Sequence, residues 1–321
     1  MNLHPRPREW SRGIYGDAVP ASSPRPAGAA NRANFMDEKG IMPRKKRQPP
    51  ATLTMSMAEY QALAGVNWSA LKYLGKSPLH FAHHRAQGRA DTASMLAGRA
   101  AHTAVLEPDR FPIDYAVWTG AARRGAEWEA FRDAHPGRTI LKVDEYQEAL
   151  AIRDAVRGHK VADRILTGGA AERVLIWTDP DTGIACKCRI DWLRADGFAD
   201  LKTTRDLTRR RFRSQAHDLG YHGQLAFYRR GCLALGLDPT VWLVAVEGAP
   251  PHDVAAFAVD PGVIATGDEE VGRLLVLLKE CERTKKWPGR YPDLETFHLP
   301  PYAYGDDEES GNMGLTIGGA A

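Results

Sequence analysis

The stretch CKCRIDWLRADGFADLKTT, residues 186–204, holds the densest set of chemically useful side chains in the 321-residue chain. Asp191, Asp200 and Lys202 lie on two strand-like runs, ACKCRIDWL and FADLKTT, parted by the turn former ADG. If Asp196 and Gly197 form a two-residue turn, Ala195 faces Phe198, Leu193 faces Asp200 and Asp191 faces Lys202. Side chains alternate along a strand, so the two aspartates and the lysine then share one face, within about 4.5–8 Å. Carboxylates this close repel unless a cation joins them, and oxygen donors favour Mg²⁺ or Mn²⁺. A lysine beside them can orient or activate a water and offset negative charge, as phosphodiester hydrolysis requires. The plainer reading is a solvated hairpin with a cross-strand Asp–Lys pair.

The two cysteines of this stretch invite a thiolate metal site, yet Cys186 and Cys188 point away from Asp191. The chain's four cysteines (186, 188, 232, 281) include no CxxC pair. They read as reduced core thiols. Downstream, Gln224 and Tyr228 stand four apart and share a helical face, with Tyr221 nearby, able to contact a backbone or the lysine. Between hairpin and helix, Arg205, Arg209, Arg210, Arg211 and Arg213 crowd into nine positions, a pattern suited to phosphate contact or simply to a solvated helix face.

Elements must carry these residues. A helix is predicted in TASMLAGRAAHTAVLEP, where Met95, Gly98, His102 and Leu106 share a face, and others over 144–156 and 160–166. ERVLIWT, ACKCRIDWL and FADLKTT read as an antiparallel meander, followed by one long helical stretch over 206–236, strands at VWLVAVE and DVAAFAVD, and a helix over 263–286. That order predicts an α/β fold in which a mixed sheet is flanked by helices.

Composition is that of an ordinary globular chain, with 43% hydrophobic and 8% aromatic residues. Residues 1–50 hold ten Lys/Arg against four Asp/Glu, so the net charge of +3 hides −3 on the remaining 271 residues. Any affinity for nucleic acid must therefore come from patches. Residues 1–54 read as a disordered basic Pro/Arg-rich tail and 304–321 as a disordered acidic, Gly-rich tail, leaving one domain over 55–303. No membrane span or signal stretch is evident, so a cytoplasmic location is expected. GxxxxGK[ST] is absent, which argues against ATP.

GRAAHTAVLEP, RIDWL, ADLKTT and QLAFY, in this order, resemble the PD-(D/E)XK nuclease superfamily, in particular its RecB/RecE-like branch of the exodeoxyribonuclease-eight type. The resemblance runs over roughly 58–303, with NWSALKYLGKSPLHF upstream and WPG and LPPYAY downstream. It implies a restriction-endonuclease-like core. His102, Asp191, Asp200 and the Leu201 carbonyl would be metal ligands, Lys202 the catalytic lysine and Gln224 with Tyr228 the family's Q-x-x-x-Y pair. Glu172 would be an accessory site residue. By the same resemblance the chain would digest linear double-stranded DNA with Mg²⁺ or Mn²⁺, as a homo-oligomeric ring, and leave single-stranded tails for an annealing protein in recombination. The four cysteines do not match the pattern of the branch's iron–sulfur members, so no cluster is expected. Two rivals remain: a nuclease of single strands, flaps or RNA, and a non-catalytic DNA-binding protein that keeps the fold.

Overall fold

In the computed structural model, residues 52–87, 92–300 and 303 are described; most of both predicted tails, including PRKKRQPP and DDEE, lies outside them. The amino-terminal part is helical: α1 (Met57–Ala62), α2 (Trp68–Leu71), α3 (Pro78–Gln87) and α4 (Ala93–Leu106). Ser56 and Glu59 form a capping box on α1, and the Asn67 and Thr92 side chains cap α2 and α4, so polar residues satisfy the first backbone N–H groups. Next come α5 (Phe111–Asp114), β1 (Tyr115–Trp118), α6 (Ala126–Ala134), β2 (Thr139–Lys142), α7 (Val143–Gly158) and α8 (Lys160–Ile165). β1 and β2 pair in parallel as a small separate sheet, which the four-residue runs YAVW and TILK are too short to announce.

The main sheet follows: β3 (Ala170–Thr178), β4 (Ala185–Leu193), β5 (Gly197–Thr204), then α9 (Arg209–Asp218), α10 (Tyr221–Ala234), β6 (Thr240–Glu247), β7 (Val254–Ala258) and α11 (Pro261–Thr284). Strand order equals chain order, β3-β4-β5-β6-β7, with β5 and β6 parallel and every other pair antiparallel. The meander is therefore as expected and the sheet is mixed. The predicted helix over 206–236 is instead two helices, because Gly220 adopts φ +71° and the chain turns there before α10 begins.

Helices cover both faces of the sheet. On one, Cys186, Cys188, Ile190 and Phe198 pack with Leu225 and Phe227 of α10 and Leu274, Leu275 and Leu278 of α11. On the other, Ala199, Leu201, Val244 and Val246 meet Ala101 and Val105 of α4, Ile152 and Val156 of α7 and Ala162 of α8. Each fully buried Leu, Ile, Val or Phe here stabilises the fold by about 1.5–3 kcal/mol over the exposed state. β5 thus lies in a helix–sheet–helix sandwich, with α4 on one side and α10 on the other.

Candidate metal centre

The β4–β5 hairpin turns one residue earlier than predicted, which moves each β5 partner back by two positions. Arg194 N–H donates to Gly197 O at 2.8 Å and Leu193 pairs with Phe198, so Ala195 and Asp196 occupy the turn. Gly197 belongs to the strand for a steric reason: a Cβ there would lie 2.2 Å from Thr240 O of the parallel neighbour β6. Arg194 grips both carboxylate oxygens of Asp196 at 2.8 and 3.2 Å and closes the turn. The shift puts Asp191 at the level of Asp200, where Lys202 was expected, and Leu193 opposite Phe198.

Only Trp192–Ala199 and Leu193–Phe198 form ladder pairs between β4 and β5. Beyond them the strands part, and the Asp191 carboxylate fills the gap by accepting from Leu201 N–H at 2.8 Å. The β3–β4 ladder skips the same level: Ala171 pairs with Trp192 and Arg173 with Ile190, while Glu172 adopts φ +54°. A non-glycine residue with positive φ inside a strand is strained, and such strain collects at functional sites. Alternation along β4 also changes phase here, since Ile190 and Leu193 both enter the core beneath α10 whereas Trp192 packs on the α4 side.

One atom each from His102, Glu172 and Asp191 converges within 4.8 Å, a set able to hold a metal ion. His102 Nδ1 stands 3.7 Å from Asp191 Oδ2 and also meets the Leu201 backbone. Asp200 lies beside this set, buried to 1% exposure on the face toward α10. Lys202 Nζ approaches its Oδ2 to 2.5 Å, and Gln224 Nε2 donates to its Oδ1 at 3.0 Å and to the Tyr228 hydroxyl at 2.9 Å. His102, Asp191, Asp200, Lys202, Gln224, Tyr228 and Glu172 are thus contiguous. Glu172, with the least sequence support, falls inside the three-residue set, and Arg189 holds it through an ion pair at 2.5 Å.

The electrostatics fit a cation. Burial, followed by the Asp191 charge, pushes Asp200 up to about 7 despite Lys202, and burial with Asp191 pushes Glu172 up to about 8 against the pull of Arg189. Burial lowers the His102 pKa, keeping the imidazole neutral and able to ligate. Burial also works against the charge of Lys202, but Asp200 and Asp191 outweigh it and hold its pKa above the ordinary value. Carboxyl groups held back from ionising by burial and by one another's charge, next to a neutral imidazole, match the donor chemistry of a divalent ion.

The five arginines are all exposed. Arg205 and Arg211 line a surface hollow with Asp206, Gln215 and Asp218, and Arg211 pairs with Asp206 at 3.3 Å. Arg209, Arg210 and Arg213 stand on α9. Arg205 also borders a cleft of about 570 Å³ between α4 and α7 on one side and β5, α9 and α10 on the other, walled by Gly98, Glu148, Thr203, Gln215 and Tyr221. Cys186, Cys188 and Cys232 are packed in the apolar core and Cys281 is buried as well. The face between them is not solvated as the hairpin reading implied: the Lys187 ammonium is buried and donates to the carbonyls of Tyr60, Gln61 and Leu63 at 2.9, 3.2 and 2.6 Å.

Known proteins agree with this architecture. A family model described as a PDDEXK-like domain of unknown function, DUF3799, matches residues 67–298. The chain belongs to this PDDEXK-like family. No curated protein matches it. Among solved structures, a protein of Eubacterium rectale described as an exonuclease candidate is similar with a TM-score of 0.52 at 12% identity, over 72% of this chain and 88% of that one. LHK-Exo, solved in complex with dAMP, is 15% identical over 58% of this chain and 91% of its own, but with a TM-score of 0.25, too slight a likeness to bear on the fold. The fold of this PDDEXK-like chain is restriction-endonuclease-like, and no helix among the described residues is long and apolar enough to cross a membrane.

Proposed function

We propose that this chain is a metal-dependent exodeoxyribonuclease that hydrolyses phosphodiester bonds of linear double-stranded DNA and leaves single-stranded tails for recombination. The observation that carries the reading is the Lys202 ammonium, 2.5 Å from Asp200 and beside the converging His102, Glu172 and Asp191. His102, Asp191, Asp200 and the Leu201 carbonyl would hold Mg²⁺ or Mn²⁺, with Glu172 as a further carboxylate. Such an ion, when bound, supplies Lewis acidity and lowers the pKa of water.

The residues of the chain do the remaining work. The carboxylates beside it hold the Lys202 pKa above its ordinary value, so its ammonium is placed to orient a water and to offset charge on the phosphate oxygens. Gln224 fixes the Asp200 carboxylate and is itself fixed by Tyr228, which limits rotation at the reacting end. The exposed arginines of α9 and Arg205 offer phosphate contacts that position DNA without reading its sequence. A homo-oligomeric ring and an annealing partner extend the same reading.

Digestion of 5′- and 3′-end-labelled linear duplex beside a closed circle tests it, with Mg²⁺ or EDTA, for wild type and Asp200→Asn. Shortening of the linear DNA by wild type with Mg²⁺ alone is expected, with the circle intact. Equal binding by both proteins without cleavage would make this a binding module, and preference for single strands or RNA would change the substrate.

A further inference from the structure

The face of α10 matches β5 rung by rung. Tyr221 meets Lys202, Gln224 meets Asp200 and Tyr228 meets Phe198, with the Lys202 ammonium 5.0 Å from the Tyr221 ring centroid and the Tyr228 and Phe198 rings 6.1 Å apart. The spacings agree: seven residues of helix rise about 10.5 Å and four steps of strand about 13 Å. Gln224 and Tyr228 have their place in the Q-x-x-x-Y pair. Tyr221, one turn before Gln224 and buried to 8% exposure, lies outside that pair.

We propose that Tyr221 is a positioning residue that holds the Lys202 ammonium in place through the face of its ring. The inference rests on the nuclease reading of the same site. A lysine side chain has several rotatable bonds, and the cleft of about 570 Å³ opens beside it along Thr203. Asp200 alone would be a poor anchor in the working site, because on the proposed reading the same carboxylate would also help to hold the cation beside His102, Glu172 and Asp191. An aromatic ring attracts an ammonium through its quadrupole and carries no charge for a metal ion to compete for. Tyr221 also forms part of the cleft wall, so its ring stands between the cleft and the lysine it faces. The ring matters here and the hydroxyl does not.

The test replaces Tyr221 by phenylalanine and by phenylalanines bearing one, two and three ring fluorines, which drain the quadrupole with little change of shape. Cleavage of linear duplex is measured with Mn²⁺, together with Mn²⁺ affinity and thermal midpoint. Tyr221→Phe is expected to stay within about twofold of wild type, and kcat to fall stepwise with fluorination to about tenfold, at constant KM, Mn²⁺ affinity and midpoint. Tyr221→Leu should fall at least as far. A flat kcat across the series overturns the inference, as does an effect confined to KM or metal affinity, or a Tyr221→Phe loss as large as that of Tyr221→Leu. A wild type that cuts no DNA removes the nuclease reading itself and this inference with it, whereas a flat series from an active enzyme removes only the role of Tyr221.

Discussion

Asp200→Asn should make the metal-free protein less sensitive to rising pH. Asp200 is buried to 1% exposure and holds its proton up to about pH 7, whereas the same side chain in the unfolded chain ionises near 3.8. A group whose pKa is raised on folding stabilises the fold fully below its unfolded pKa, and that stability is lost as pH climbs toward the folded value. From pH 5 to 7 the unfolded state holds fewer protons at this site, by most of one at pH 5 and about half of one at pH 7, so wild type loses on the order of 2 kcal/mol over that range. The asparagine has no proton to lose. Lys202 stays charged throughout this range, so its altered environment cancels when the two proteins are compared across pH. Scanning calorimetry in EDTA at pH 5 and 7.5 reads the difference directly: the wild-type midpoint should fall by about 5–10 °C more than that of Asp200→Asn. Mn²⁺ should abolish the extra fall, because the cation takes the place of the proton. Parallel midpoints in EDTA for the two proteins would refute the claim that burial keeps Asp200 protonated.

Glu172→Gln is expected to weaken Mn²⁺ binding by at least about tenfold in titration calorimetry of the metal-free protein, and an unchanged affinity would remove Glu172 from the ligand set. Replacing Arg209, Arg210 and Arg213 together by glutamine should reduce the slope of log affinity for duplex DNA against log salt by about 0.9 for each phosphate no longer neutralised, leaving kcat at saturating DNA unchanged; an unaltered slope would place the DNA elsewhere. Burial pushes the Cys186 and Cys232 thiols up to about 12 and Cys188 well above the usual thiol value. Ellman's reagent at pH 8 should therefore leave these three untouched until guanidinium is added. Stability should also decline above about pH 9, where only the unfolded chain releases these protons, and rapid native labelling would contradict the packed core.

Side-chain parity made the heart of the site legible in the sequence. Asp200 and Lys202 are two apart on a strand, so any register of the hairpin leaves them on one face, and Gln224 and Tyr228 are four apart on a helix, so any packing of that helix leaves them together. These relations are local and do not depend on what covers the strand. The placement of His102 came from the motif GRAAH, because a lone histidine on an apolar helical face carries no positional information of its own. Tyr221, three before Gln224, carries the same helical spacing, and that spacing placed it near the lysine, where the structure has it.

What the sequence by itself determined was therefore the local grouping of the candidate site side chains and the layered mixed fold that holds them. Register, strain and charge state were decided by tertiary structure. Gly197 looked like a turn residue, but the parallel approach of β6, 43 positions later at Thr240, requires the missing Cβ and moves the turn back by one. The opening of β4 from β5 at Asp191 and the positive φ of Glu172 leave no mark in periodicity, since they arise where two ladders are interrupted at the same level. Whether a carboxyl group keeps its proton depends on how much water the helices above and below remove, and residues far apart in the chain set that amount.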